Sequence, residues 1–102
     1  MRYYFLRLTL PRPTFNTDCS PEELRLLQDH AFYWSGLVSK GIAVVFGPVV
    51  EPAEVYGICV LRLNGEMNPR VIADGDPAIK ADAGFDFEIF PMQGAGHFAY
   101  YG

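Results

Sequence analysis

His30 and Asp76 are the two residues of this sequence whose types and surroundings best suit acid–base chemistry. His30 opens the aromatic-rich run HAFYW at positions 30 to 34, and Asp76 precedes Pro77 in a separate turn. A histidine exchanges protons near neutral pH, and a neighbouring carboxylate can orient its ring and stabilise its charged form. The two residues therefore form a candidate proton-transfer pair, provided that the fold brings them together.

Each of these residues also has a purely structural interpretation. Leu26, Trp34 and Leu37 are neighbours of His30 at helical spacing. A histidine beside such an apolar face is more often a hydrogen-bonded structural residue than a functional one. An aspartate before a proline is common in turns and at helix starts for local reasons. Residue types alone leave both interpretations open.

Other catalytic and cofactor-binding patterns do not occur in the sequence. No GxGxxG or GxxxxGK[ST] motif is present, so dinucleotide and P-loop binding have no basis. Ser35 and Ser39 lack the context of a nucleophile elbow. Cys19 and Cys59 form no CxxC pair and have no histidine at metal-ligand spacing, so they are predicted to be free thiols. We expect no metal and no cofactor.

Length and composition predict a single domain over residues 1–102. Half of the 102 residues are hydrophobic and 15% are aromatic, which is enough for one modest core. A formal charge of -4 with scattered Lys and Arg disfavours binding to nucleic acid or to an anionic membrane surface. No apolar stretch approaches the ~20 residues that a spanning helix needs. No signal-peptide pattern is visible, and we expect a cytoplasmic protein.

The hydrophobic pattern predicts an α+β chain in the order β-α-β-β-α-β, the ferredoxin-like arrangement. Ser20 and Glu23 form a Ser-x-x-Glu capping box at the start of the long helix, and Gly41 is suited to end it. The predicted elements are a strand over Tyr3–Leu10, a loop over Thr14–Cys19, a helix from Pro21 to about Lys40, a strand over Ile42–Val50 interrupted at Gly47-Pro48, a strand over Val55–Leu63, a helix over Glu66–Ala73, a helical turn over Ala78–Ala83 and a strand over Gly84–Met92.

Apolar residues are distributed unevenly over these elements. The long helix is predicted to bury a stripe that His30 flanks, made of Leu24, Leu27, Ala31, Trp34 and Val38. The first and third strands are apolar on both faces, whereas helices cover only one face of such a sheet. A large exposed apolar face is costly, and the economical cover is the same sheet of a second subunit. The sequence therefore predicts a homodimer whose two sheets face each other as a barrel.

The spacing of several residues resembles the YCII-related (YciI-like) family. His30 is followed after ten residues by Gly41, and after five more by Gly47. This stretch is the most specific part of a resemblance that covers nearly the whole chain. The matching positions are His30, Gly41, Gly47-Pro48, Asp76-Pro77 and Pro91.

The resemblance implies a ferredoxin-like, dimeric α+β barrel with a proposed histidine–aspartate active site. His30 and Asp76 occupy the positions of that pair. Most members have no assigned reaction; one relative eliminates hydrogen chloride from a chlorinated hydroxyquinol, and related dimeric barrels include muconolactone isomerases. The loop Pro11–Cys19 and the tail Gly94–Gly102 depart from the family, so no relative's substrate is transferred to this chain.

Together these observations predict a small cofactor-independent enzyme that eliminates or isomerises a compact, aromatic or unsaturated metabolite. His30 would be the general base or acid, and Asp76 would orient it. The predicted pocket walls are Tyr33, Trp34 and Phe46. The alternatives are a non-catalytic dimer that binds a small molecule, and an oxygen-using barrel that acts on quinols. A fold alone does not choose among these functions.

Overall fold

Residues 1–96 are described by a computed structural model, in which a four-stranded antiparallel sheet packs against several helices. The predicted α+β class is confirmed. His97 and the rest of the tail lie outside the described residues. In chain order the elements are β1 (Arg2–Thr9), α1 (Phe15–Asp18), α2 (Pro21–Ser39), β2 (Ala43–Val50), β3 (Val55–Leu63), α3 (Pro69–Asp74), α4 (Pro77–Lys80) and β4 (Asp86–Met92).

The strands lie in the order β2-β3-β1-β4, and each neighbouring pair is antiparallel. Leu6 in the central strand β1 is paired with Cys59 of β3 on one side and with Ile89 of β4 on the other. Because alternate residues of a strand point to the same face, this register aligns one apolar face of the sheet. The core lies between this face and the helices, and its most buried members are Leu6, Leu8, Trp34, Cys59, Leu61, Leu63, Ala73 and Ala78.

The long helix α2 begins where the sequence predicts. Ser20 Oγ accepts from the backbone N–H of Glu23, and a Glu23 carboxylate oxygen accepts from the N–H of Ser20. This reciprocal capping box satisfies two donors that a helix start otherwise leaves unpaired. At the other end Gly41 has φ +75°, a conformation that glycine adopts at little steric cost.

The buried face of α2 is rotated from the predicted stripe. Leu24 and Val38 are 48% and 40% exposed, whereas His30 and Leu37 are buried together with Trp34. The predicted stripe is confirmed at Trp34 but wrong at Leu24 and Val38, because hydrophobic spacing ignores the polar partner that the rest of the fold supplies. That partner, described below, draws His30 from the flank of the helix into its buried face.

The segment before α2 contains a helical turn, α1, where the sequence predicts only a loop. Arg12 joins this turn to α2, because its guanidinium donates to the carboxylates of both Asp18 and Glu23. The hydrogen bonds from Arg12 and from the Ser20 backbone lower the pKa of Glu23 to about 2. The segment Pro11–Cys19 is therefore tied to the start of α2.

Strand β2 runs without interruption through Gly47 and Pro48, which corrects the predicted break. The register instead shifts between Ala43 and Val45. Proline lacks an N–H and is tolerated in an edge strand, and β2 is at the edge of this sheet. The later elements are present, with shifted ends. Helix α3 begins at Pro69 because the side chain of Asn68 caps it.

None of the helices among residues 1–96 is long and apolar enough to cross a membrane.

Candidate functional site

His30 and Asp76 are in direct contact, as the sequence predicts. His30 Nδ1 lies 2.5 Å from Asp76 Oδ2, although 46 positions separate the two residues. Asp76 is completely buried, and 9% of His30 is exposed. The geometry therefore confirms the predicted contact between the two residues.

The Asp76 carboxylate accepts two further hydrogen bonds. Trp34 Nε1–H donates to Oδ2 at 2.8 Å, and the backbone N–H of Ala78 donates to Oδ1 at 2.9 Å. The bond from Ala78 makes Asp76 the N-cap of α4, with Pro77 at the first helical position. Asp76 therefore fulfils its structural interpretation as a helix cap and also holds His30. One buried side chain does both.

These bonds locate the proton of the pair. An ionised carboxylate only accepts hydrogen bonds, and the N–H groups of Trp34 and Ala78 stabilise that form. Because an ionised Asp76 can only accept from the ring, this geometry favours the His30 tautomer that carries its proton on Nδ1 and keeps the lone pair on Nε2. Nδ1 is thus the ring nitrogen that Asp76 occupies. The His30 side chain as a whole is 11% exposed.

The accessible part of His30 lines a cavity of about 230 Å³ between α2 and the sheet. Three aromatic rings surround the imidazole: the ring centroids of Trp34, Phe46 and Phe87 lie 6.3, 6.4 and 6.3 Å from it. The predicted wall residue Phe46 lines this cavity. The other walls are mainly aliphatic and include Leu8, Leu10, Leu27, Pro48 and Val55.

Trp34 and Tyr33 do not line this cavity, although the sequence predicts both as pocket walls. Trp34 is fully buried, with its indole bonded to Asp76. Tyr33 donates its hydroxyl to the carbonyl of Ile72 at 2.6 Å, at the end of α3. A Cβ atom at Gly75 would lie 2.5 Å from that hydroxyl oxygen. Tyr33 thus anchors the segment that leads into Asp76.

The bond from Trp34 to Asp76 is the feature that sequence reasoning missed. Trp34 lies four residues after His30, so both side chains project from the same face of α2. A buried indole N–H needs an acceptor. The signal was present in the spacing of a histidine and a tryptophan, but the acceptor comes from a distant turn.

The negative charge of Asp76 acts on two other groups. Burial, followed by that charge, raises the pKa of the Cys59 thiol, which therefore stays protonated and unreactive. The same two causes raise the pKa of the Tyr33 hydroxyl. No three side chains of His, Cys, Asp or Glu within residues 1–96 are grouped as metal ligands would be.

Comparison with known proteins gives no family for this chain: no protein-family model matches the sequence, and no curated protein is significantly similar to it.

We predict that Asp76→Asn destabilises the fold by about 1–3 kcal/mol, the usual cost of a buried polar group without a partner. An asparagine can present its carbonyl oxygen either to Trp34 or to Ala78, and its NH₂ group then faces the other N–H donor. The loss is measured as a lower midpoint of urea unfolding with an unchanged slope.

Asp74→Asn is the matched control, because Asp74 is exposed and makes none of these bonds. We expect its unfolding midpoint to equal that of the wild type. Equal midpoints for both variants would contradict the account of Asp76 as an acceptor that three donors require.

Proposed function

We propose that this protein is a small cofactor-independent enzyme of the YCII-related kind, in which His30 transfers a proton during the elimination or isomerisation of a small metabolite. The observation that carries the proposal is one arrangement: a buried Asp76 bonded to Nδ1 of His30, and a His30 side chain that lines an apolar cavity. A structural histidine needs the first of these features but not the second.

In the proposed reaction, Nε2 removes a proton from the bound substrate. The imidazolium that forms is stabilised by Asp76, which remains ionised throughout. In an isomerisation the same nitrogen returns the proton to another atom of the substrate; in an elimination the leaving group departs with the bonding electrons, and the proton is later lost to water. The complete burial of Asp76 keeps water from its carboxylate and so strengthens its interaction with His30.

The rival function is a non-catalytic dimer that binds a small molecule. The apolar lining of the cavity suits binding as well as it suits catalysis. What favours the enzyme is the buried Asp76 behind the acceptor nitrogen, because it stabilises the imidazolium that forms when Nε2 takes a proton, and binding alone does not form that charge.

A homodimer with the ferredoxin-like, α+β barrel arrangement is part of the proposal. The strand order β2-β3-β1-β4 is the order expected of that fold. On the sheet face away from the core, Val45, Val60, Phe5 and Phe90 are successive cross-strand partners and form an apolar row over all four strands. Val45 and Phe90 are 48% and 49% exposed. A second copy of this face would cover the row.

The base is tested without knowledge of the natural substrate by the ring opening of 5-nitrobenzisoxazole. In this reaction a base removes the C–H proton as the N–O bond breaks, and a coloured cyanophenolate forms. We expect the wild type to accelerate the reaction over buffer and His30→Ala to lose a factor of about 10²–10⁴, the usual contribution of a positioned base.

Asp76→Asn should also lower the rate, whereas Asp74→Asn should retain it. An acceleration that survives in His30→Ala would contradict the proposed base. Binding of the probe by the wild type without any acceleration would favour the binding protein instead.

The dimer is tested by placing a charge at the centre of the apolar row. We expect the wild type to be a dimer at micromolar concentration and Val60→Glu to be a monomer, because two carboxylates would be brought together in an apolar interface. Sedimentation velocity measures both masses. Val71→Glu is the control, since Val71 is 68% exposed on helix α3 rather than on the sheet; a monomeric wild type would contradict the dimer.

A further inference from the structure

The wall of the cavity beside His30 carries very few polar groups. Among residues 1–96, no lysine, arginine, aspartate or glutamate lines it, and His30 and Tyr56 are its two residues with polar side-chain atoms. Burial of a charge in such surroundings is costly unless an opposite charge is present. Within residues 1–96, the wall therefore supplies no cationic side chain for a carboxylate or a phosphate.

Arg7 and Arg12 are both paired with carboxylates. The guanidinium of Arg7 lies over the ring of Tyr56, with Cζ 4.2 Å from the ring centroid. Arg7 is also paired with Glu54 and Glu88. Arg12, near the neighbouring end of the sheet, binds Asp18 and Glu23. Neither arginine lines the cavity.

The negative charge of Asp76, which is bonded to Nδ1 of His30, also disfavours an anionic ligand. With a neutral imidazole, the pair of His30 and Asp76 carries one net negative charge; with an imidazolium it carries none. An anionic ligand in contact with Nε2 would thus meet either repulsion or a cation whose charge Asp76 already balances. A ligand that donates a hydrogen bond meets no such penalty, because Nε2 offers a lone pair.

The volume of the cavity sets the size of the occupant. Its 230 Å³ exceed the ~150 Å³ of an apolar cavity known to hold benzene and fall short of the ~300–1,000 Å³ of drug-sized pockets. A single ring with one or two small substituents fits between these limits. A nucleotide or a sugar phosphate does not.

From these observations we infer that the cavity takes an uncharged, compact and mainly apolar molecule whose one polar donor, a hydroxyl or an acidic C–H, contacts Nε2 of His30. Carboxylates and phosphates of the same size are excluded. This inference rests on the proposed function, because it assigns the substrate class of the same site.

The test uses three one-ring probes of similar shape: phenol, which is neutral and donates; anisole, which is neutral and cannot donate; and benzoate, which is anionic. Each is titrated into the full-length protein and followed by amide NMR shifts of Gly57 and Ala31, which line the cavity. We expect phenol to bind about tenfold more tightly than anisole, the value of one hydrogen bond. Benzoate should bind at least tenfold more weakly than phenol. Of the three probes, only phenol should shift the ¹⁵N resonance of His30 Nε2.

Two leucine variants locate the binding. Ala31→Leu fills the cavity and should abolish phenol binding, whereas Ser35→Leu, at an exposed position of the same helix, should not. Benzoate that binds as tightly as phenol, or phenol that does not bind at millimolar concentration, would overturn the inferred ligand class. Phenol selectivity without ring opening of the benzisoxazole would uphold the ligand class and remove the proposed enzyme, so the two failures are distinguishable.

Discussion

The structure depends on one carboxylate that is completely buried. Taking an ionised aspartate out of water is unfavourable unless several donors replace the lost hydration. Asp76 receives three: the ring of His30, the indole of Trp34 and the backbone N–H of Ala78. Two of these donors belong to the long helix α2 and the third starts the short helix α4. The carboxylate therefore joins two elements that hydrophobic contact alone would position less specifically.

The bond to Asp76 also gives the two ring nitrogens of His30 different roles. Nδ1 is occupied by Asp76, and Nε2 is the polar atom that the pair leaves for the cavity. The aromatic rings of Trp34, Phe46 and Phe87 lie near the imidazole, with centroids 6.3, 6.4 and 6.3 Å from it. Tyr33 helps to hold the segment that carries Asp76, because its hydroxyl donates to the carbonyl of Ile72 just before the turn to Asp76. A site that is polar at one point and apolar elsewhere follows from these contacts.

Local signals in the sequence were sufficient for most of the elements, although they missed α1 and the continuity of β2, and they did not fix the buried face of α2. The start of α2 was predictable because Ser20, Pro21 and Glu23 act on their immediate neighbours. The rotation of α2 was not, because it depends on an acceptor in another part of the chain. The same reason explains why the bond of Trp34 to Asp76 was missed.

The contact of His30 with Asp76 was predicted from family spacing rather than from hydrophobic periodicity, which placed His30 at the flank of the helix. Phe46 lines the cavity as predicted, whereas Trp34 bonds to Asp76 and Tyr33 bonds to the carbonyl of Ile72. Aromatic residues near a histidine indicate a shielded site, but sequence spacing does not say which of them face the ligand and which face the core.

The central claim is that Asp76 holds the proton of neutral His30 on Nδ1 and leaves a lone pair on Nε2. The most direct test is the pair of ¹⁵N shifts of the His30 ring, recorded by long-range ¹H–¹⁵N correlation at a pH where the ring is neutral. The account predicts a protonated, pyrrole-like Nδ1 and an unprotonated, pyridine-like Nε2. The opposite assignment, with the proton on Nε2, would contradict it, because Asp76 would then have no hydrogen to accept from the ring and the cavity would face no base.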